Sequence, residues 1–263
     1  MSGLAIVTGA SSGIGEETAR KLDADGWTLL LVARREDRLS ALASSLRDAS
    51  YVAVDLTAAD APARVRGAVG ERELKLLVNN AGAAWRSTFA DGGYANVRQT
   101  MELNFDAQVR LTEELLPLLR AAAPSAIVNV ASVAGRVGRE SAGAYSASKA
   151  ALASWTDCLH LEEKPNGVHV GLVLPGFITT EGFPQAELMA KPLTRRMVST
   201  VEAGAEAIVE AGLGRKPERY VPRPYGIAAA LRVVAPWLTR RVLGGGAAQA
   251  MTTRTGPDAA DGR

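Results

Sequence analysis

The chain is poor in cysteine, histidine and aromatic residues: one Cys, two His and 5% aromatics in 263 residues. A lone cysteine, Cys158, excludes any internal disulfide, and with only His160 and His169 as histidines no zinc-like ligand cluster is available. No metal is expected, and a reducing cytoplasm is the expected setting. Long hydrophobic runs are also missing. No uninterrupted apolar stretch reaches the roughly 18 residues that cross a bilayer, and no leader pattern precedes the strand-like segment at Leu4 to Val7, so a soluble protein is expected. Neither sign of charge dominates: 30 basic residues face 28 acidic ones, net +2. No basic stripe tracks phosphates, and nucleic acid is not an expected partner. Lysine is scarce, six of the 30 basic residues, an arginine bias that reads first as coding composition.

What is present is a globular composition, 47% hydrophobic and 22% charged, long enough for one α/β domain over residues 1–250. Short apolar runs (LAIV, TLLLVA, YVAV, LKLLV, AIVNV, VHVGLVL) alternate with longer helical patterns. That alternation predicts parallel strands joined by helices that cover both sheet faces, a three-layer doubly wound sheet of about seven strands. Helices are expected from about Ser146 to Glu163, from about Val201 to Ala211, and over about 226–243, with a strand around Arg219 to Val221. The composition from Met251 to the end predicts a frayed tail at 251–263.

The first strand runs into Thr8-Gly9-Ala10-Ser11-Ser12-Gly13-Ile14-Gly15 and then a helix. Glycines at this junction let backbone approach a ligand, and free amide groups at a helix start face a pyrophosphate. The spacing, GxxxGxG, differs from the general GxGxxG fingerprint. Further on, Tyr145 and Lys149 stand four apart at the opening of a helix, on one face. A free tyrosine has a pKa of about 10 and a nearby ammonium lowers it, which makes such a pair suited to proton transfer.

With Asn79-Asn80-Ala81-Gly82 after the fourth strand, Ser132 after the fifth and Tyr145-Ser146-Ala147-Ser148-Lys149, the chain resembles the short-chain dehydrogenase/reductase family over about Leu4 to Thr180. The TGxxxGxG and YxxxK forms resemble its ordinary oxidoreductase branch rather than the epimerase or enoyl-reductase branches. The resemblance implies a Rossmann fold and a nicotinamide cofactor that carries hydride. It further implies that Tyr145 transfers the proton, Ser132 holds the substrate oxygen, Lys149 holds the nicotinamide ribose and tunes Tyr145, and Asn104 positions a water. Gly9, Ser11, Ser12, Gly13, Ile14, Gly15, Asn80, Ala81 and Gly82 would bind cofactor. So would Asp55 and Leu56 near the adenine, and Pro175, Gly176, Ile178 and Thr180 near the carboxamide.

The second strand ends in Arg34-Arg35, without a carboxylate at the strand end where NAD would need one. Two guanidinium groups suit a 2′-phosphate, so NADP(H) is favoured over NAD(H), with Glu36 or Asp37 as the NAD-type alternative. Loops at Ala83 to Phe89, Val133 to Ser141 and about 177–198 carry Trp85, Val137, Phe177, Phe183, Leu188 and Met189. An apolar carbonyl or alcohol substrate is expected from them. Cys158 is read as a buried packing residue and Trp27, Trp155 and Trp237 as packing residues. The C-terminal segment lacks the family's usual Asp-Gly-Gly turn. A partner-subunit helix in a homo-oligomer, a substrate-covering helix and an interfacial anchor compete for it, in that order. A non-catalytic dinucleotide sensor is the runner-up function, disfavoured because a sensor need not keep Asn104, Ser132, Tyr145 and Lys149.

Overall fold

The computed structural model describes residues 3–179 and 197–243. Its strands are β1 Leu4–Thr8, β2 Thr28–Ala33, β3 Ala49–Ala53, β4 Leu74–Asn79, β5 Ser125–Val130, β6 Val168–Pro175, β7 Phe177–Ile178, β8 Val198–Ser199 and β9 Glu218–Val221. Its α-helices are α1 Gly13–Ala24, α2 Glu36–Ser45, α3 Ala61–Val69, α4 Phe89–Met101, α5 Ala107–Ala121, α6 Gly143–Glu163, α7 Val201–Gly212, α8 Tyr225–Val234 and α9 Pro236–Leu243. Seven strands form one parallel sheet in the order β3-β2-β1-β4-β5-β6-β9, and β7 pairs with β8 apart from it. The doubly wound, Rossmann-like fold is the one the alternation predicts.

Strand periodicity builds the two faces. Ala5, Val7, Leu29, Leu31, Val78 and Val128 point to one side, where α1, α2 and α7 supply Leu22, Leu39 and Ile208. Leu4, Ile6, Leu30, Val32 and Ile127 point to the other, against Val65 of α3 and Leu111 and Leu115 of α5. In β4 the register with β1 shifts between Leu4 and Ala5, so that Leu74 and Leu77 share a face although they stand three positions apart.

The order reverses between β1 and β4, because the chain winds outward to β2 and β3 on one side and to β5 and β6 on the other. A crevice therefore opens beyond the carboxyl ends of these two strands, the place where open α/β sheets take ligands.

Several expectations need correction. Cys158 is exposed: it occupies the outward face of α6, while Leu152, Thr156 and Leu159 occupy the inward one. Trp237 is 67% exposed, whereas Trp27 is buried and Trp155 packs partly against the core. The C-terminal segment is two helices: Pro236, which has no amide hydrogen to continue α8, begins α9. Thr180, Phe183, Leu188, Met189 and the 251–263 tail lie outside the described residues. Among the described residues, no helix is long and apolar enough to cross a membrane.

Candidate active site

The floor of the crevice is tied together by Thr8, the last residue of β1. Its hydroxyl donates to the Val78 carbonyl at 3.0 Å and accepts from the amides of Asn80 (2.9 Å) and Ala81 (3.0 Å). Asn80 Nδ2 returns a hydrogen bond to the Thr8 carbonyl at 2.9 Å. One buried hydroxyl thus fixes where the Asn80-Ala81-Gly82 segment leaves β4, a role of Thr8 that the motif contains but its glycines overshadow.

Gly9 and Gly13 adopt φ +66 and +59, conformations that residues with a β-carbon rarely hold. Gly15 is needed for a different reason: a β-carbon there would overlap the Gly9 carbonyl oxygen and stand 2.6 Å from Asn80 Nδ2. The side chain of Ser12, the residue before α1, makes no capping bond, so the first amides of that helix are left for a ligand. Gly15→Ala is expected to lower the melting temperature by roughly 4–8 °C, since overpacking costs about 1–3 kcal/mol. Dinucleotide binding should weaken about tenfold as the turn shifts. Thermal melts and a dinucleotide titration check this, and an unchanged affinity would show that the close approach is not needed for binding.

Beside this turn lies a cleft of about 330 Å³. Gly9, Ser11, Ser12, Gly13 and Ile14 form one wall, and Arg34, Arg35, Asp55 and Leu56 another. Asn80, Ala81 and Gly82 close it, while Gly15 lies beneath. β2 ends at Ala33, so Arg34 and Arg35 follow the strand directly and Glu36 and Asp37 open α2 without lining the cleft. Arg35 donates to the Ser11 and Ser12 hydroxyls at 3.0 and 2.7 Å, gripping the glycine turn. Asp55 sits two residues beyond β3. Burial pushes its carboxyl up, but two hydrogen bonds from Thr57 and the charge of Arg34 hold it below the usual value.

The cleft continues into a larger cavity of about 910 Å³, and Ser12, Ile14, Arg34, Asn80, Gly82 and Ala83 border both. Ser132, Tyr145 and Lys149 line it together with Pro175, Gly176 and Ile178. The short turn after Ser132 packs tightly on α6, since a β-carbon on Gly135 would meet the Lys149 carbonyl carbon at 2.7 Å. That contact sets Ser132 against the helix that carries Tyr145 and Lys149. Ser132 Oγ donates to the Pro175 carbonyl at 3.2 Å and accepts from the Ala134 amide at 3.1 Å.

Tyr145 is half-buried, and burial holds its hydroxyl above the ordinary value, against the pull of the Ser132 hydroxyl and the charges of Arg139 and Arg86. Lys149 is 3% exposed, and burial lowers its ammonium to about 8. Its Nζ donates to the Val130 carbonyl at 2.8 Å. Two arginines from the loops, Arg139 and Arg86, thus act on Tyr145 among the described residues, which the helix spacing of Tyr145 and Lys149 does not reveal.

Asn104 lies below the cavity rather than in its lining, fully buried in a π-helical turn, Glu102–Asp106, between α4 and α5. Its Oδ1 accepts from the Ala83 amide at 2.9 Å, and its Nδ2 donates to the Ala83 carbonyl at 2.9 Å and to Ser148 Oγ at 3.1 Å. It joins the loop after β4 to the Tyr145 helix. Gln108 does similar work one turn on, donating to the Ala81 carbonyl at 2.7 Å.

A dinucleotide fits these residues: the uncapped helix start, the turn kept open by glycine and the arginines at the β2 end form one continuous cleft with the Tyr145 cavity. Fold and site together define an oxidoreductase of the Rossmann type. Comparison with known proteins narrows the class. A family model described as short chain dehydrogenase matches residues 3–190. The chain is 32% identical over 214 residues to ketoacyl reductase HetN of Nostoc sp., covering 78% of this chain and 74% of that protein. It is 35% identical over 185 residues to serine 3-dehydrogenase of Agrobacterium fabrum, covering 69% and 74%. A crystal structure of a short chain dehydrogenase from Burkholderia cenocepacia in complex with NADP superposes with a TM-score of 0.79 at 26% identity, covering 92% of this chain and 97% of that one. The chain belongs to the short-chain dehydrogenase/reductase family. It is an NAD(P)-dependent oxidoreductase acting on CH–OH or C=O groups.

Proposed function

We infer that the protein interconverts a carbonyl and an alcohol with NADP(H), on a substrate with an apolar body, and that Tyr145 is its proton donor and acceptor. The observation that carries this reading is the placing of Ser132 and Tyr145 on the wall of a cavity continuous with the dinucleotide cleft. When bound, the cofactor supplies or accepts the hydride. In reduction Tyr145 gives its hydroxyl proton to the carbonyl oxygen and in oxidation takes it back, while Ser132 donates a hydrogen bond to the same oxygen. Lys149 holds the ribose side of the site, and Asn104 keeps the Ala83 loop and α6 in register. Trp85, Val137, Phe177 and, from α8, Ala228 and Leu231 give the cavity apolar walls, which makes α8 a cover for the substrate.

The preference for NADP(H) rests on Arg34 and Arg35 in the cleft and on the position of Glu36 and Asp37 outside its lining. A charge-assisted bond to a 2′-phosphate is worth about 1.5–3 kcal/mol, roughly a tenfold to hundredfold effect. Arg34→Asp and Arg35→Asp are each expected to lower the ratio of kcat/KM for NADPH over NADH by at least about tenfold, through repulsion as well as lost attraction. Steady-state kinetics with both cofactors decide this. A wild type that already prefers NADH would give the ribose to Glu36 or Asp37.

A further inference from the structure

The described charged residues that line the cavity beyond Tyr145 are of one sign. Among the described residues that line it, the charged ones are Arg34, Arg86, Arg139 and Lys149, and none is an aspartate or glutamate. Lys149 is turned to the Val130 carbonyl, and Arg34 belongs to the mouth of the dinucleotide cleft. Arg86 and Arg139 come from two different loops, after β4 and after β5, and line the same cavity as Tyr145, where the charge of each acts on its hydroxyl.

Their convergence is not explained by the chain's abundance of arginine. Arg136, three residues before Arg139 in the same loop, reaches Glu218 at 3.1 Å and Asp157 at 3.8 Å. Arg139 makes no ion pair among the described residues. It lies half-buried over the Phe177 ring, 4.8 Å from the centroid, where burial and the neighbouring charge of Arg86 both lower its guanidinium. A half-buried guanidinium that makes no ion pair among the described residues carries a desolvation cost, which a bound anion turns to attraction.

We propose that the substrate is an α- or β-oxo carboxylic acid, or the matching hydroxy acid, whose carboxylate is held by Arg139 and Arg86 while its carbonyl faces Tyr145 and Ser132. This rests on the oxidoreductase reading above. The carboxylate stands close to the reacting carbon because both guanidinium groups line the same cavity as Tyr145, which protonates the carbonyl oxygen. A planar guanidinium also matches the two oxygens of a carboxylate. The apolar walls take the remaining chain, so the expected apolar substrate becomes an amphiphilic one. The residue pattern conceals this, since Arg86 and Arg139 are 53 positions apart and sit in loops whose aromatic and aliphatic residues suggest only apolar contacts.

The test has a binding arm and a turnover arm. Calorimetry on the NADP-loaded protein compares octanoate with octanol. Octanoate is expected to bind at least about tenfold tighter. Arg139→Met should remove most of that difference, Arg86→Met a part of it, and Arg139→Lys should keep more of it than Arg139→Met. In the turnover arm, kcat/KM is measured for α-oxodecanoate and β-hydroxydecanoate against their methyl esters, and the acid-to-ester ratio should fall in Arg139→Met. Octanol binding as tightly as octanoate, or a ratio that stays the same in Arg139→Met, would overturn the proposal. If octanoate binds through Arg139 but neither acid nor ester is turned over with either nicotinamide cofactor, the carboxylate site stands and the carbonyl-reductase reading fails. If the esters are turned over as well as the acids, the reading stands and the carboxylate site fails.

Discussion

Tyr145→Phe is expected to reduce kcat by a hundredfold or more while dinucleotide affinity stays within about twofold of wild type. General acid catalysis contributes roughly a hundredfold to ten-thousandfold, and the substitution removes only the hydroxyl, leaving the ring to fill its place on α6. Burial keeps the Tyr145 hydroxyl above the ordinary phenol value, with the Ser132 hydroxyl, Arg139 and Arg86 opposing it. At neutral pH the residue is protonated and ready to donate, so reduction should be nearly flat with pH around 7 and oxidation should speed up as the solution becomes alkaline. Stopped-flow turnover and a separate dinucleotide titration check the two halves. Near-normal turnover in Tyr145→Phe would remove the proton-transfer role, and a large loss of dinucleotide affinity would make the residue a binding group instead.

Much of this arrangement is legible in the sequence because it is local. The near-continuous apolar runs dictate strands buried on both faces, and the alternation with helical segments dictates a parallel sheet. The glycines of the first turn and the four-residue spacing of Tyr145 and Lys149 are likewise properties of one short segment. What the sequence conceals is the meeting of distant segments. Thr8 joins β1 to the Asn80 loop across 72 positions, Asn104 reaches Ser148 across 44, and Arg86 and Arg139 line one cavity with Tyr145. A bias toward arginine made the last pair look like composition. Cys158 and Trp237 depart from expectation for the opposite reason: side-chain type alone points a small or apolar residue to the core, whereas the helix face decides which way it points.

The second large effect concerns Lys149, whose replacement should disable the enzyme while making the empty protein more stable. Lys149→Met is expected to cost at least a hundredfold in kcat and to weaken the dinucleotide as well, if the ammonium serves the ribose and the proton-transfer site as proposed. Burial lowers the folded-state pKa to about 8, from an ordinary lysine value of about 10.4. The folded protein thus binds this proton less tightly than the unfolded chain, which means the charged lysine opposes folding. That opposition is fully present below pH 8, where both states carry the proton. It fades as pH rises from 8 toward the unfolded value, because the folded state gives up its proton while the unfolded chain still holds one. A shift of this size corresponds to a difference on the order of 3 kcal/mol, partly offset by the hydrogen bond to the Val130 carbonyl that methionine cannot make. Denaturant titrations of the dinucleotide-free protein at pH 7 and pH 10 should therefore show Lys149→Met more stable than wild type at pH 7, with the gap narrowing toward pH 10. A variant that is less stable at pH 7, or a gap that does not change with pH, would mean that Lys149 is not held as a desolvated charge and that its place at the site costs the fold nothing.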